Sequence, residues 1–318
     1  MLAAVHITHP DVPGWNFAER HAVQLAAAIP GADVRICRSE KEFLAVLPEA
    51  QVALVWHFRP EWIPLAANLR LLGTPAAGQD YFPGDLLPAR IERCYGRFHG
   101  LLMGETVVGM LLGMCRGLLP AAVLQTANPW PRREIAAAMR PLRGARVTIL
   151  GFGHIGRHAA RLLKPFGVHL TGIRRSPAPA PPFLEAVDRV LGPAELDRVL
   201  PETDHLVLCL PAAAETDGLM DRRRLELLPP GATLCNVGRG NALDEEALLD
   251  GLREGRLAGA CLDVFRQEPL PPDSPLRTCP NLWIMPHAAA IAPNYLDLFV
   301  TEFGDRWRAG EFGLSRPD

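Results

Sequence analysis

Short apolar runs alternate with helical patterns along most of the chain. "AAVHITH", "ADVRIC", "VALVWHF" and "LRLLGT" have the length and β-branched content of buried strands. Between them, "FAERHAVQLAAAI" and "EKEFLAVL" repeat apolar residues at helical spacing. Strand–helix alternation predicts a parallel sheet flanked by helices. A longer helical pattern covers about 104–119, followed by a Pro/Trp-rich break, "ANPWPRRE". The alternation restarts at Arg146 with "RVTILGFGHIGRHAARLLKPFGVHLTGIRR" and continues through "HLVLCLP", "ATLCNV", "GACLDVF" and "LWIMP". "PAPAPP" at 177–182 predicts an exposed turn or loop within a domain. One more helical segment, "NYLDLFVTEFGDRWRAG", follows His287. Pattern alone divides the chain once, near 140.

Composition narrows the class. The 318 residues suffice for two domains with sizeable cores. Apolar residues at 48%, charged residues at 21% and a net charge of −2 describe a globular protein in water, with no surplus of positive charge to suggest nucleic acid. The seven cysteines are scattered, none in a C-x-x-C pair, and most lie in apolar runs. That predicts buried, reduced thiols in a cytoplasmic protein and no metal centre. The start, "MLAAVHITHP", lacks the basic region of a signal peptide. The most apolar stretch, "LLMGETVVGMLLGMCRGLL", carries Glu105 and Arg116, which favours a buried helix over a membrane span.

"VTILGFGHIGRHAARLLKPFG" places Gly151, Gly153 and Gly156 between a strand and a helix. In that context G-x-G-x-x-G predicts a dinucleotide site. Gly151 makes the turn, Gly153 admits the pyrophosphate and Gly156 lets helix and strand pack closely. The anion lies on the helix N-terminus. Ile155, Ala159, Leu162, Leu163 and Phe166 are expected to face the sheet. At the end of the next strand, where an acid would bond the adenosine ribose, stand Arg174 and Arg175. Two guanidinium groups there predict a fork for the 2′-phosphate of NADP, or else a solvated basic turn.

In a doubly wound sheet, ligands bind beyond the carboxyl ends of the strands. Arg239 follows "ATLCNV", Asp263 and Glu268 follow "GACL", and His287 follows "LWIMP". A guanidinium suits a substrate carboxylate, and a histidine supported by an acid suits proton delivery near neutral pH. This is a workable set for hydride transfer to a 2-oxo acid. Plainer roles remain open at this point: a loop charge for Arg239, a cap for Glu268, a strand-end turn for His287, and a partner for backbone amides for Asp263.

The chain resembles the D-isomer-specific 2-hydroxyacid dehydrogenase family, most of all its glyoxylate/hydroxypyruvate reductase branch. "GFGHIG", "LLPPGATLCNVGRGNALDEEALLDGLREGRLAGACLDVFRQEPLP" and "PHAAA" carry the resemblance, the long block most specifically. It implies two doubly wound parallel-sheet α/β domains of Rossmann-like and flavodoxin-like type, the cofactor domain being inserted into the substrate domain. The implied bounds are 1–98 plus 291–318 for the substrate domain and 99–290 for the NAD(P)-binding domain. A helix starting near Gly104 opens the latter and contributes to a homodimer interface.

The resemblance assigns Arg239 to the substrate carboxylate and carbonyl, His287 to acid/base chemistry and Glu268 to raising its pKa. It implies cofactor contacts from Gly151, Gly153, His154, Ile155, Gly156, Arg174, Arg175, Leu210, Pro211, Val237 and Gly238, with Asp263 on the nicotinamide carboxamide. "LRLLGTPAAGQDYF" matches the family segment whose amides hold the substrate carboxylate. Ala77 and Gly78 are then the donors, and Ala76 stands where a glycine is usual. Trp56 matches a tryptophan that closes over small substrates, although a core tryptophan also fits; His57 is a polar strand-end residue.

The implied enzyme reduces small 2-oxo acids, glyoxylate and hydroxypyruvate first, with NADP(H) preferred and NAD(H) possible. Formate dehydrogenase of the same family pairs its histidine with glutamine, so Glu268 argues against that chemistry. One alternative is a reductase of a larger 2-oxo acid; the rival from another class is a nucleotide-sensing binding protein, like the corepressors that share the fold, and retention of the three catalytic residues weighs against it.

Overall fold

The computed structural model describes residues 1–82, 86–125, 130–176 and 179–314. The chain forms two units, 1–99 with 291–318, and 100–290. The first contains β1 (Leu2–His6), α1 (Glu19–Ala28), β2 (Asp33–Ile36), α2 (Glu40–Val46), β3 (Val52–Val55), β4 (Leu71–Thr74) and β5 (Glu92–Tyr95). Its sheet is parallel throughout, in the order β2-β1-β3-β4-β5. The central strands β3 and β4 are buried along their whole length, whereas edge strand β2 alternates exposed and half-buried positions. This is the pattern of a sheet covered on both faces.

The chain leaves this unit through α3 (His99–Cys115), followed by α4 (Leu118–Leu124) and α5 (Arg132–Ala138). The pattern expected one helix from near Gly104 to 119. The helix instead starts at His99 and stops at Cys115, where Gly117 takes a positive φ of 68°. Its early start is a packing effect. A Cβ on Gly100 would sit 2.5 Å from the His158 ring, and one on Gly104 3.0 Å from Leu162. The glycines weaken helix propensity but let α3 lie close to the next helix. As expected, α3 is largely a core helix, burying Met103, Val107, Met110, Leu111 and Met114. Residues 126–129 of the Pro/Trp-rich break, and 177–178 of "PAPAPP", lie outside the described residues.

The second unit continues with β6 (Arg146–Leu150), α6 (His154–Leu163), β7 (His169–Ile173), β8 (Arg189–Leu191), α7 (Leu196–Val199), β9 (His205–Leu208), α8 (Arg222–Leu227), β10 (Thr233–Asn236), α9 (Glu245–Arg253), β11 (Gly259–Leu262) and β12 (Leu282–Ile284). The seven strands are parallel, in the order β12-β11-β10-β9-β6-β7-β8. The order reverses between β6 and β9, the switch point at which such sheets bind ligands. Helix α6 buries Ala159, Ala160 and Leu163, with Ile155 and Phe166 packed at the margin. Leu162 departs from the expectation: it is 39% exposed and borders Gly104 of α3 rather than the sheet.

Helix α10 (Tyr295–Arg308) returns the chain to the first unit and packs on α1. It buries Leu296, Phe299, Val300, Phe303 and Trp307. All seven cysteines are free, and burial pushes the Cys94 and Cys209 thiols up to about 12. Among the described residues no single helix is long and apolar enough to cross a membrane, and no three or more His, Cys, Asp or Glu side chains are grouped as metal ligands would be.

Candidate active site

In the second unit the strand ends bring the sequence-derived residues together. Gly151 follows β6 with φ 91°, and an added Cβ would lie 2.5 Å from the Cys209 carbonyl oxygen at the end of β9. Only glycine fits there. An added Cβ on Gly153, by contrast, would meet nothing within 4 Å. The open backbone at Gly153 leads directly into the N-terminus of α6, whose amides His154, Ile155 and Gly156 begin the first turn. Aligned amides and the helix dipole favour an anion at that position. Leu210 and Pro211 continue from Cys209 on the neighbouring strand end.

Arg174 and Arg175 follow β7. The Arg174 amide donates to the Leu191 carbonyl (3.0 Å), which pins the turn to β8. Its side-chain Nε is buried with no hydrogen-bond partner among the described residues. Arg175 differs: it is 78% exposed at its side chain and donates through Nη1 to Glu215 Oε1.

Arg239 is presented by a tight turn after β10. Asn236 holds this turn, accepting from the Gly238 amide (3.1 Å) and donating to the Arg239 carbonyl (3.2 Å). The glycines of "GRG" flank the arginine because neighbouring backbones press on both. A Cβ on Gly240 would fall 1.9 Å from the Phe265 carbonyl carbon, and one on Gly238 2.5 Å from the Leu210 oxygen. Both glycines are therefore required by the backbone around the arginine.

His287 lies beyond β12 with φ 53°, a left-handed conformation rare for a non-glycine residue. Three backbone amides hold it there. Its amide donates to the Asp263 carbonyl (2.8 Å), and the Asp263 carboxylate accepts from the amides of Ala288 (2.6 Å) and Ala289 (3.1 and 3.0 Å). Asp263 is 1% exposed, and burial raises its pKa against the pull of those two amides. Of the two roles open for Asp263 in the sequence, partnership with backbone amides is the one seen.

The His287 Nδ1 lies 2.7 Å from Glu268 Oε2, and Glu268 Oε1 accepts from the Phe265 amide (2.9 Å). The hydrogen bond to Glu268 is the main cause that raises the His287 pKa, with burial and the Arg239 charge opposing. Burial works to raise the Glu268 pKa, but the bond from His287, the Phe265 amide and the charges of His287 and Arg239 bring it below its usual value. The two shifts agree: the pair favours imidazolium and carboxylate. The Arg239 charge is felt by both partners, so the three side chains share one locality.

The candidates of the first unit also meet. Trp56 follows β3, and Ala76, Ala77 and Gly78 follow the adjacent β4. Thr74 ties them: its hydroxyl donates to the Trp56 carbonyl (3.0 Å) and accepts from the Ala76 amide (3.2 Å). Ala76 is buried, and positive φ occurs among described non-glycine residues at Asn281 and His287 alone. Alanine is thus accommodated where the family pattern has glycine. Ala77 is exposed and Gly78 half-buried. The Trp56 ring packs against Trp15 and Tyr295, with centroids 5.3 and 5.9 Å away. The indole nitrogens of Trp15 and Trp56 are both buried without a partner among the described residues. Neither Trp15 nor Thr74 stood out in the sequence, since each lies in a loop or strand end with no motif of its own. His57 stacks on Tyr81 (4.5 Å).

The glycine turn and the Arg239, Glu268 and His287 side chains of the second unit are the pattern of a nicotinamide-nucleotide oxidoreductase, and comparison with known proteins agrees. Residues 108–289 match the family model described as D-isomer specific 2-hydroxyacid dehydrogenase, NAD binding domain. A glyoxylate/hydroxypyruvate reductase A of Klebsiella pneumoniae (strain 342) is 32% identical over 311 residues, 95% of this chain and 93% of that one. A D-isomer specific 2-hydroxyacid dehydrogenase from Xanthobacter autotrophicus Py2, solved with NADPH and MES, is 32% identical with a TM-score of 0.76, covering 100% of this chain and 97% of the other. A probable 2-hydroxyacid dehydrogenase from Rhizobium etli CFN 42, solved with NADP, HEPES and tartaric acid, is 28% identical with a TM-score of 0.74, covering 97% and 95%. The chain belongs to the D-isomer specific 2-hydroxyacid dehydrogenase family.

Proposed function

We propose that the protein is an NADPH-preferring reductase of small 2-oxo acids, with glyoxylate and hydroxypyruvate as its first substrates. The observation that carries this reading is the His287–Glu268 pair with Arg239 beside it, at the carboxyl edge of a sheet whose switch point is a glycine turn. The residues fit the cofactor. Gly151, Gly153, His154, Ile155 and Gly156 would hold its pyrophosphate on the α6 N-terminus, with open space at Gly153. Leu210, Pro211, Val237 and Gly238 would border the dinucleotide. The unpartnered Arg174 Nε and the Arg175 guanidinium would take the 2′-phosphate.

When bound, the cofactor supplies a hydride to the substrate carbonyl carbon. The chain's own groups do the rest. Arg239 holds the substrate carboxylate, and its planar fork matches carboxylate geometry. His287 donates the Nε2 proton to the carbonyl oxygen as negative charge develops there. Glu268 keeps the imidazole protonated and fixes its orientation through Nδ1. Asp263 holds the His287 turn, and its side of the turn would also meet the nicotinamide carboxamide. Trp56, backed by Trp15 and Tyr295, forms an aromatic wall that suits a small substrate.

The proposal extends to a cytoplasmic homodimer. Its support is the set of free thiols and the exposed apolar side chains Leu118, Val123 and Trp130. The deciding experiment is an NADPH-oxidation screen across glyoxylate, hydroxypyruvate, pyruvate, phenylpyruvate and longer 2-oxo acids. Highest kcat/KM with glyoxylate and hydroxypyruvate supports the proposal, and no turnover with any 2-oxo acid refutes it.

A further inference from the structure

The two arginines after β7 stand in different electrostatic situations. Arg174 has a buried Nε without a partner among the described residues, so it has a donor waiting for an acceptor. Arg175 already has an anion: its Nη1 donates to Glu215. Glu215 lies in the short 3-10 turn Ala214–Thr216 beyond β9. In the sheet, β9 and β7 are the two neighbours of β6, whose end is the glycine turn. The Arg175–Glu215 bond therefore links the loops on either side of that turn. The Glu215 loop is itself fixed, because the single Thr216 hydroxyl hydrogen is shared between the carbonyls of Pro211 (2.8 Å) and Ala213 (2.9 Å) while the hydroxyl oxygen accepts from the Ala213 amide (3.1 Å).

We propose that Glu215 is a selectivity residue for the cofactor's 2′-phosphate: a built-in carboxylate that occupies Arg175 and competes with the phosphate for it. This rests on the NADP reading given above. Two anions cannot both be satisfied by one guanidinium face without repelling each other. With NADPH, Arg175 exchanges Glu215 for phosphate, and the displaced carboxylate remains near a dianion. Arg175 then adds little to phosphate binding, while Arg174, which gives up no partner, carries most of it. With NADH, the Arg175–Glu215 pair stays intact, so Arg175 is not left as a second unpaired cation beside the ribose. The carboxylate thus narrows the gap between the two cofactors, moderating NADP preference while leaving NAD(H) usable.

The test measures equilibrium binding of NADPH and NADH by quenching of tryptophan fluorescence, together with kcat/KM, in wild type, Glu215→Gln, Arg175→Ala and the double variant. Glu215→Gln is expected to tighten NADPH binding by about 3- to 10-fold, the scale of removing a competing surface ion pair and a like-charge repulsion. NADH binding, which reports that the site is intact, is expected to move by less than about two-fold. Arg175→Ala is expected to cost more NADPH affinity in the Glu215→Gln background than in wild type, a coupling that independent roles would not give. If wild type prefers NADPH and Glu215→Gln leaves NADPH binding unchanged or weaker, Glu215 is no competitor, and the NADP reading stands without it. If wild type binds NADH more tightly than NADPH, the NADP reading falls and takes this proposal with it.

Discussion

Glu268 grips His287 with one oxygen and the Phe265 amide with the other, at 2.7 and 2.9 Å. A carboxylate bound at both ends cannot swing away from the imidazole. It fixes which ring nitrogen is left for the substrate, because Nδ1 is committed and Nε2 is not. The left-handed backbone at His287 points the same way, since such strain persists only where the surroundings impose it.

Removing the imidazole should remove the proton donor without touching the glycine turn. His287→Ala is expected to lower the reduction rate by about 10²–10⁴-fold. NADPH binding, measured by fluorescence, should be retained. Near-wild-type turnover would withdraw the acid role from His287.

The pH profile follows from the raised His287 pKa. Reduction needs the imidazolium, so kcat/KM should be full below the raised pKa and fall as pH climbs through it. Oxidation of the 2-hydroxy acid needs the neutral ring and should rise over the same range. Glu268→Gln removes the main cause of the shift, so both limbs should move to lower pH. An unmoved profile, in a step limited by chemistry, removes Glu268 from the mechanism.

Cofactor choice should depend chiefly on Arg174. A charge-assisted hydrogen bond is worth about 1.5–3 kcal/mol, so Arg174→Ala should weaken NADPH binding by roughly 10- to 150-fold. NADH should change little. Arg174→Asp should move preference toward NADH, since a carboxylate bonds the ribose hydroxyls and repels a phosphate. Equal losses for both cofactors would reduce the pair to a basic surface turn.

Substrate size should depend on the aromatic wall. Trp56→Ala opens space beside Trp15 and Tyr295, so glyoxylate use should fall while bulkier 2-oxo acids gain in relative kcat/KM. Uniform losses across all substrates would make Trp56 structural.

Acid stability should depend on His205, which is buried between Thr233 (2.8 Å from Nδ1) and Cys115 (3.6 Å from Nε2). Burial pulls its pKa down to about 4. The unfolded chain then binds the extra proton between that value and about 6.5, so stability is lost as pH falls through this window. The loss on moving from pH 7 to pH 5 should be smaller by about 2 kcal/mol in His205→Gln than in wild type, by urea unfolding. Parallel losses would show that His205 does not report acid sensitivity.

Much of the second unit was legible because its signals are local. A glycine beside a strand end, a strand of four apolar residues, or an arginine between two glycines each leaves a mark in a few consecutive letters. What escaped depends on partners distant in sequence. Glu215 is one acid among many until the fold sets it against Arg175. Thr74 looks like the last letter of a strand until its hydroxyl is seen holding Trp56 and Ala76. Strands β5 and β8 were missed because "ERCY" is half polar and "RVL" is three residues long. The early start of α3 was hidden by Gly100 and Gly104, whose low helix propensity is overridden by packing against α6.

The return of α10 to the first unit bears on how the protein is made. That helix covers α1 and buries Phe299, Phe303 and Trp307, yet it is synthesised after all of 100–290. At a ribosomal rate of about 5–20 residues per second, the first sheet waits roughly ten to forty seconds for its missing layer. The inserted unit is contiguous and can fold during that delay, while the older part of the chain exposes an apolar face. Nascent chains stalled before residue 291 should therefore be the species that chaperones hold, and the final helix is the step that releases them.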